Sequence, residues 1–129
     1  HWMVRRQRQM CIRDSHCVVL VKNLKLIKLN MLGPSLVKNK LFPDQANITF
    51  VEVLKKSKVK VLFWERGGGH TLACGSGTCA TAFVLNHNDF VSSKIEVVTE
   101  RSVLKTEIKD NMVFIQGPAE LVYQSSINI

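Results

Sequence analysis

The sequence predicts an α+β fold in which short strands wrap around a central buried helix. Residues 47–53 (NITFVEV) and Lys58–Glu65 (KVKVLFWE) alternate apolar and polar side chains with the period of two that half-buried strands require. Residues 79–85 are small and apolar on every side, the pattern of a helix enclosed all round rather than of an amphipathic surface helix. Four more strand-like runs crowd into the last forty residues, so the strands wrap the helix rather than alternate with further helices in a doubly wound sheet.

The elements follow in order. A β-branched run over 17–22 reads as a buried strand. Gly33-Pro34 signals a turn or helix entry, with a short helix over 35–40. Phe42-Pro43-Asp44 marks a second turn before the pair of strands 47–53 and 58–65. The glycine-rich stretch 66–78 (RGGGHTLACGSGT) leads into the apolar helix, which ends over 86–89. Strands over 94–99, 103–108, 112–116 and 119–124 complete the chain, with turns at 100–102, 109–111 and Gly117-Pro118.

Length and composition narrow the possibilities. A chain of 129 residues, 46% hydrophobic and 22% charged, suits one ordinary globular domain. No apolar run approaches the roughly 18 residues that span a bilayer, so no membrane partner is expected. The first fifteen residues (HWMVRRQRQMCIRDS) lack the apolar core of a secretory signal, which points to a cytoplasmic, reducing location and free thiols. That opening segment has neither helical stripe nor strand alternation. Residues 1–15 read as a non-native or disordered basic arm, similar to translated sequencing-adapter read-through, and residues 16–129 as the domain.

Eighteen Lys+Arg against ten Asp+Glu give a formal charge of +8. Such a balance raises the alternative of a non-catalytic basic nucleic-acid-binding domain. Its distribution weakens that alternative: four arginines sit in the opening arm, and lysines such as Lys22, Lys25, Lys55 and Lys58 are scattered without stacking aromatics. No nucleic-acid partner is expected. Cys11 and Cys17 are five residues apart in the gap and Cys74 and Cys79 four, spacings that make no usual zinc ligand pair, so no metal is expected.

Chemistry concentrates at 64–80, WERGGGHTLACGSGTCA. A helix beginning near Gly75 would present its first free N–H groups, at Gly75 to Gly77, as an anion pocket backed by the positive end of the helix dipole. Cys74 lies just before that pocket, where the same field is expected to favour thiolate and lower its pKa. Glu65-Arg66 adds a charged pair at the same loop. Gly75-Ser76-Gly77-Thr78-Cys79-Ala80 also fits a G-x-G-x-x-A dinucleotide fingerprint, but Gly67 to Cys74 separate it from its strand and no further β-α-β unit follows. Taken alone, a Cys-Gly-x-Gly can equally be a buried cysteine in a tight turn.

WERGGGHTLACGSGTCATA resembles the C-terminal active-site signature of the diaminopimelate epimerase family, and HCVVLV, LGPSLVKNKLFPDQANITFVEV and VFIQGPAELVY resemble further segments of that family in the same order. The likeness covers residues 16–129. It implies one lobe of the diaminopimelate epimerase-like fold and a cofactor-independent two-cysteine epimerase that interconverts LL- and meso-diaminopimelate, in lysine and peptidoglycan precursor biosynthesis. Related amino-acid racemases of the same superfamily, similar to proline racemase, are the nearest alternative; their Cys-Gly-x-Gly lacks the preceding Glu-Arg-Gly.

By position, the resemblance makes Cys74 catalytic. It makes the amides of Gly75 and Ser76 a cradle for the substrate carboxylate, and Asn47, Glu65 and Arg66 the grip on the distal amino and carboxylate groups. Cys79 falls inside the helix as packing. His70 stands where the family usually has Glu and receives no role. Arg13-Asp14-Ser15-His16 replaces the family's Gly-Asn-Pro-His. The family's other catalytic cysteine belongs to an N-terminal Cys-Gly-Asn-Gly-type motif that does not occur in this sequence. The expectation is therefore a C-terminal lobe, inert alone, whose partners are a diaminopimelate substrate and a missing N-terminal lobe; the resemblance leaves a homodimer open.

Overall fold

The computed structural model describes residues 15–129. The opening arm up to residue 14, with Cys11, Arg13 and Asp14, lies outside the described residues. From Ser15 onward the elements are β1 (His16–Leu20), a 3₁₀ turn (Leu24–Leu26), α1 (Leu29–Val37), β2 (Asn47–Lys55), β3 (Lys58–Glu65), β4 (Gly69–Thr71), α2 (Gly75–His87), β5 (Lys94–Val98), β6 (Val103–Lys109) and β7 (Met112–Gln116). They build one mixed sheet in the order β1-β2-β3-β5-β6-β7, with β4 attached to β3. The fold is α+β, a curled sheet closing on α2.

The period of two in β2 and β3 sorts their side chains into two layers. On one face Val51, Val59, Val61 and Phe63 are buried with Ala82 and Leu85 of α2 and with Ile95 and Val97 of β5. On the other, Ile48 and Phe50, flanked by Leu62 and Trp64, pack against Leu24 and Val37. Each such side chain, fully withdrawn from water, contributes about 1.5–3 kcal/mol. The two central strands are therefore covered on both sides, which fixes their register and that of the site at their ends.

Several expectations are corrected. The first helix spans Leu29–Val37 instead of 35–40, so Gly33-Pro34 lies inside it rather than at its entry. A Cβ at Gly33 would sit 2.3 Å from the Trp64 ring, and this close packing overrides the local turn signal. α2 is not enclosed all round. Gly77, Thr78, Thr81, Ala82 and Leu85 form its buried stripe, whereas Phe83 and Val84 are each 40% exposed. Residues 119–124 form no strand, and Leu121 and Val122 are more than four-fifths exposed. Among the described residues β7 pairs only with β6, and Pro118 offers no N–H to a ladder. The strands expected at 17–22, 94–99 and 103–108 form with ends shifted by one or two residues. Among the described residues no helix is long and apolar enough to cross a membrane.

Candidate active site

The helix-facing rows of three adjacent strands turn polar at one end of the sheet. In β1 the row Leu20-Val18 ends at His16; in β2 the row Val51-Thr49 ends at Asn47, the register partner of His16. In β3 the row Val61-Phe63 ends at Glu65, one step beyond the Ile48–Trp64 pair and so beside Asn47. Alternation alone places these three polar residues together under the start of α2.

The chain then reverses through Arg66-Gly67-Gly68. Gly67 and Gly69 have φ of +77° and +73°, angles that glycine adopts without strain, and the amide of Gly68 donates to the Glu65 carbonyl at 3.2 Å. The hairpin creates β4, which was not expected because Gly69-His70-Thr71, at the end of a glycine run, carries no strand signal of its own. Asn47 is buried, and its Oδ1 accepts from the Arg66 amide at 2.8 Å. The Arg66 guanidinium donates to the carbonyl of Asp44 at 2.7 Å. Asn47 and Arg66 thus meet, with Glu65 between them in sequence.

Cys74 is the N-cap of α2, with extended backbone at φ −148°. Its sulfur accepts from the Gly77 amide at 3.3 Å, so the thiol fills the place a Ser or Asp side chain usually takes. The Cys74 carbonyl accepts from both the amide and the hydroxyl of Thr78, at 2.9 and 2.8 Å. Gly75 and Ser76, the first helical residues, are exposed and have no preceding helical carbonyl to receive their amides. The Ser76 hydroxyl lies 3.5 Å from the Cys74 sulfur and 3.1 Å from Nε2 of His16.

This arrangement reverses one expectation. The Cys74 thiol is pushed above its ordinary pKa, not below it. Burial is the largest cause, and the Glu65 carboxylate adds to it through a hydrogen bond and its charge; the bonds from Ser76 and Gly77 pull the other way without prevailing. The site therefore favours the protonated thiol, with the Glu65 side chain against it, beside the amides of Gly75 and Ser76. Such a set can pass a proton while binding an anion.

Cys74, Gly75, Ser76, Asn47, Glu65 and Arg66 are all brought to this end of the sheet. Sequence reasoning missed His16, although it closes the four-residue stretch that parallels the family's Gly-Asn-Pro-His. It also missed that His70 pairs with Glu100. Cys79 is partly buried within α2, five residues past Cys74 along the helix, and burial pushes its thiol upward too. Among the described residues no group of three or more His, Cys, Asp or Glu could hold a metal ion.

The curled sheet on a central helix is the diaminopimelate epimerase-like fold. It is shared with the crystal structure of a phenazine biosynthesis protein of the PhzF family from Enterococcus faecalis, at a TM-score of 0.59 and 17% identity, over 74% of this chain and 34% of that one. A putative PhzC/PhzF protein from Clostridium difficile gives 0.59 at 20% identity, over 76% and 35%. Sequence carries the likeness further. The chain belongs to the diaminopimelate epimerase family, whose sequence model matches residues 14–122. It is 36% identical over 121 residues to the diaminopimelate epimerase of Phocaeicola vulgatus, covering 92% of this chain and 43% of that protein. The enzyme of Methanococcus maripaludis is 34% identical over 118 residues, with 90% and 43% covered. The chain thus spans less than half the length of these curated relatives.

Proposed function

We propose that this lobe supplies half of the active site of a cofactor-independent epimerase interconverting LL- and meso-diaminopimelate, with Cys74 as the acid or base on one face of the α-carbon. The observation that carries the proposal is the placement of the Cys74 sulfur at the mouth of α2, capped by Gly77 and faced by Glu65. An α-proton leaves readily only if the developing negative charge is stabilised, and the Gly75 and Ser76 amides are preorganised to receive the adjoining carboxylate. Asn47 holds the Arg66 amide, which sets Arg66 to engage the distal carboxylate. Glu65 lies against the reacting thiol and favours its protonated form, the form that delivers a proton to the α-carbon.

Inversion needs a second acid on the opposite face, and the sequence contains no second Cys-Gly-x-Gly motif. In this reading the second thiol and the opposite wall belong to the part of the family sequence that this chain does not span, and the lobe works in the cytoplasm without metal or pyridoxal phosphate. The family membership favours this reading over a nucleic-acid module. The test compares the purified chain with the same chain joined to the N-terminal lobe of a related epimerase. Epimerisation by the joined protein and none by the chain alone is expected; turnover by the chain alone contradicts the two-thiol account.

A further inference from the structure

β4 is three residues long, and in the sheet it pairs with β3 alone. β2 occupies one edge of β3 along its length, so β4 and β5 share the other: β4 pairs with residues 63–65 and β5 with residues 58–60. The edge is left open at Val61 and Leu62. Across this opening the His70 side chain of β4 meets Glu100 in the turn after β5, Nε2 to Oε2 at 2.5 Å. The pair roofs a hollow floored by Leu62 and walled by Lys28, Leu29, Asn30 and Met31. Both side chains are about one-third exposed, so water screens the pair only in part.

We infer that His70 and Glu100 are positioning residues: their side-chain hydrogen bond clasps the β3–β4 hairpin to the β5–β6 turn and so holds Glu65 and Arg66 in the site. The hairpin needs such a hold because the two left-handed glycines at its tip resist few alternative conformations. Glu65 is the register partner of Gly69, directly before His70, so any movement of β4 away from the turn is transmitted to Glu65 through one ladder step. Lys28 also lines the hollow, on the segment entering α1, and Arg101 follows Glu100 in the turn. What the hairpin grips rests on the proposed function; the clasp itself does not.

Amide hydrogen exchange of the 129-residue chain, followed by NMR, tests this. The Arg66 amide, bonded to Asn47, and the Gly68 amide, bonded to the Glu65 carbonyl, report on the hairpin. In His70→Gln and in Glu100→Gln both amides are expected to exchange roughly two- to fivefold faster, the range that loss of one partly exposed side-chain contact produces. The double variant should exchange no faster than either single one. His70→Lys, which keeps a donor toward Glu100, should restore most of the protection, and Lys28→Gln should leave it unchanged. Unchanged exchange at Arg66 in the single variants, equal acceleration at Val51 and Val97 in the core, or no rescue by lysine each overturns the inference. None of these readouts uses substrate, so failure of the epimerase reading would leave the result standing.

Discussion

The amide of Gly77 donates to the sulfur of Cys74 at 3.3 Å, so the residue that caps the central helix is also the one whose thiol faces Glu65. Fold and chemistry meet in that bond. The helix start cannot shift without moving the sulfur, and the sulfur cannot turn away without leaving a helix donor unpaired.

Gly77→Ala is therefore expected to harm both. A Cβ there would sit 2.9 Å from the Phe63 ring and 3.2 Å from the Cys74 sulfur, and such overpacking costs about 1–3 kcal/mol. Gly75→Ala is the control, because a Cβ at that position meets nothing within 4 Å. Denaturant midpoints should fall for Gly77→Ala and hold or rise for Gly75→Ala. Equal losses in both would show that close packing at Gly77 is not what requires glycine, since helix propensity favours alanine at either position.

The charge of Glu65 helps hold the Cys74 proton, so Glu65→Gln should lower the pKa of the thiol. The rate of Cys74 alkylation as a function of pH measures it: the curve of the variant should lie to the acid side of the parent's. A shift to the alkaline side would mean that the carboxylate does not face the sulfur.

The raised thiol also makes stability depend on pH. Burial, then Glu65, pushes the folded-state pKa of Cys74 above its ordinary value of 9.0, so the folded chain binds that proton more tightly than the unfolded chain. The resulting stabilisation is fully present below about pH 9 and is lost as pH rises through the folded value. Urea midpoints of the parent should thus drop more between pH 8 and pH 10.5, values that bracket roughly the ordinary thiol range, than those of Cys74→Ala. Parallel declines would contradict the direction of the shift.

Asn47→Ala removes the acceptor of the Arg66 amide from a buried position and is expected to destabilise the lobe by about 1–3 kcal/mol. Crystallography or NMR of the variant should find the 66–68 turn displaced. An unmoved turn would separate Asn47 from the positioning of Arg66.

Much of this was legible because alternation and glycine chemistry are local. KVKVLFWE marks β3 at both ends, since every second residue must enter the helix-facing layer. The Cys74 mouth could be read from the glycines around it, and the family signature fixed its neighbours. What escaped depends on distant contacts. Gly33-Pro34 looks like a break until Trp64 is found against it, and 119–124 looks like a strand until no strand lies beside it. The direction of the thiol shift could not be read from the helix start alone, because it depends on burial and on the Glu65 carboxylate, which the β2–β3 register brings in. His70 finds its partner thirty positions away, across an opening that only the sheet order creates.

The central claim is that Cys74 moves the α-proton, and solvent deuterium incorporation at the α-carbon of diaminopimelate measures that step directly. In the lobe joined to its N-terminal complement, Cys74→Ala should slow incorporation by roughly a hundredfold or more, the contribution of a positioned acid or base, while Cys79→Ala should leave the rate within about twofold on the same scale. Incorporation at the parent rate in Cys74→Ala would contradict the account.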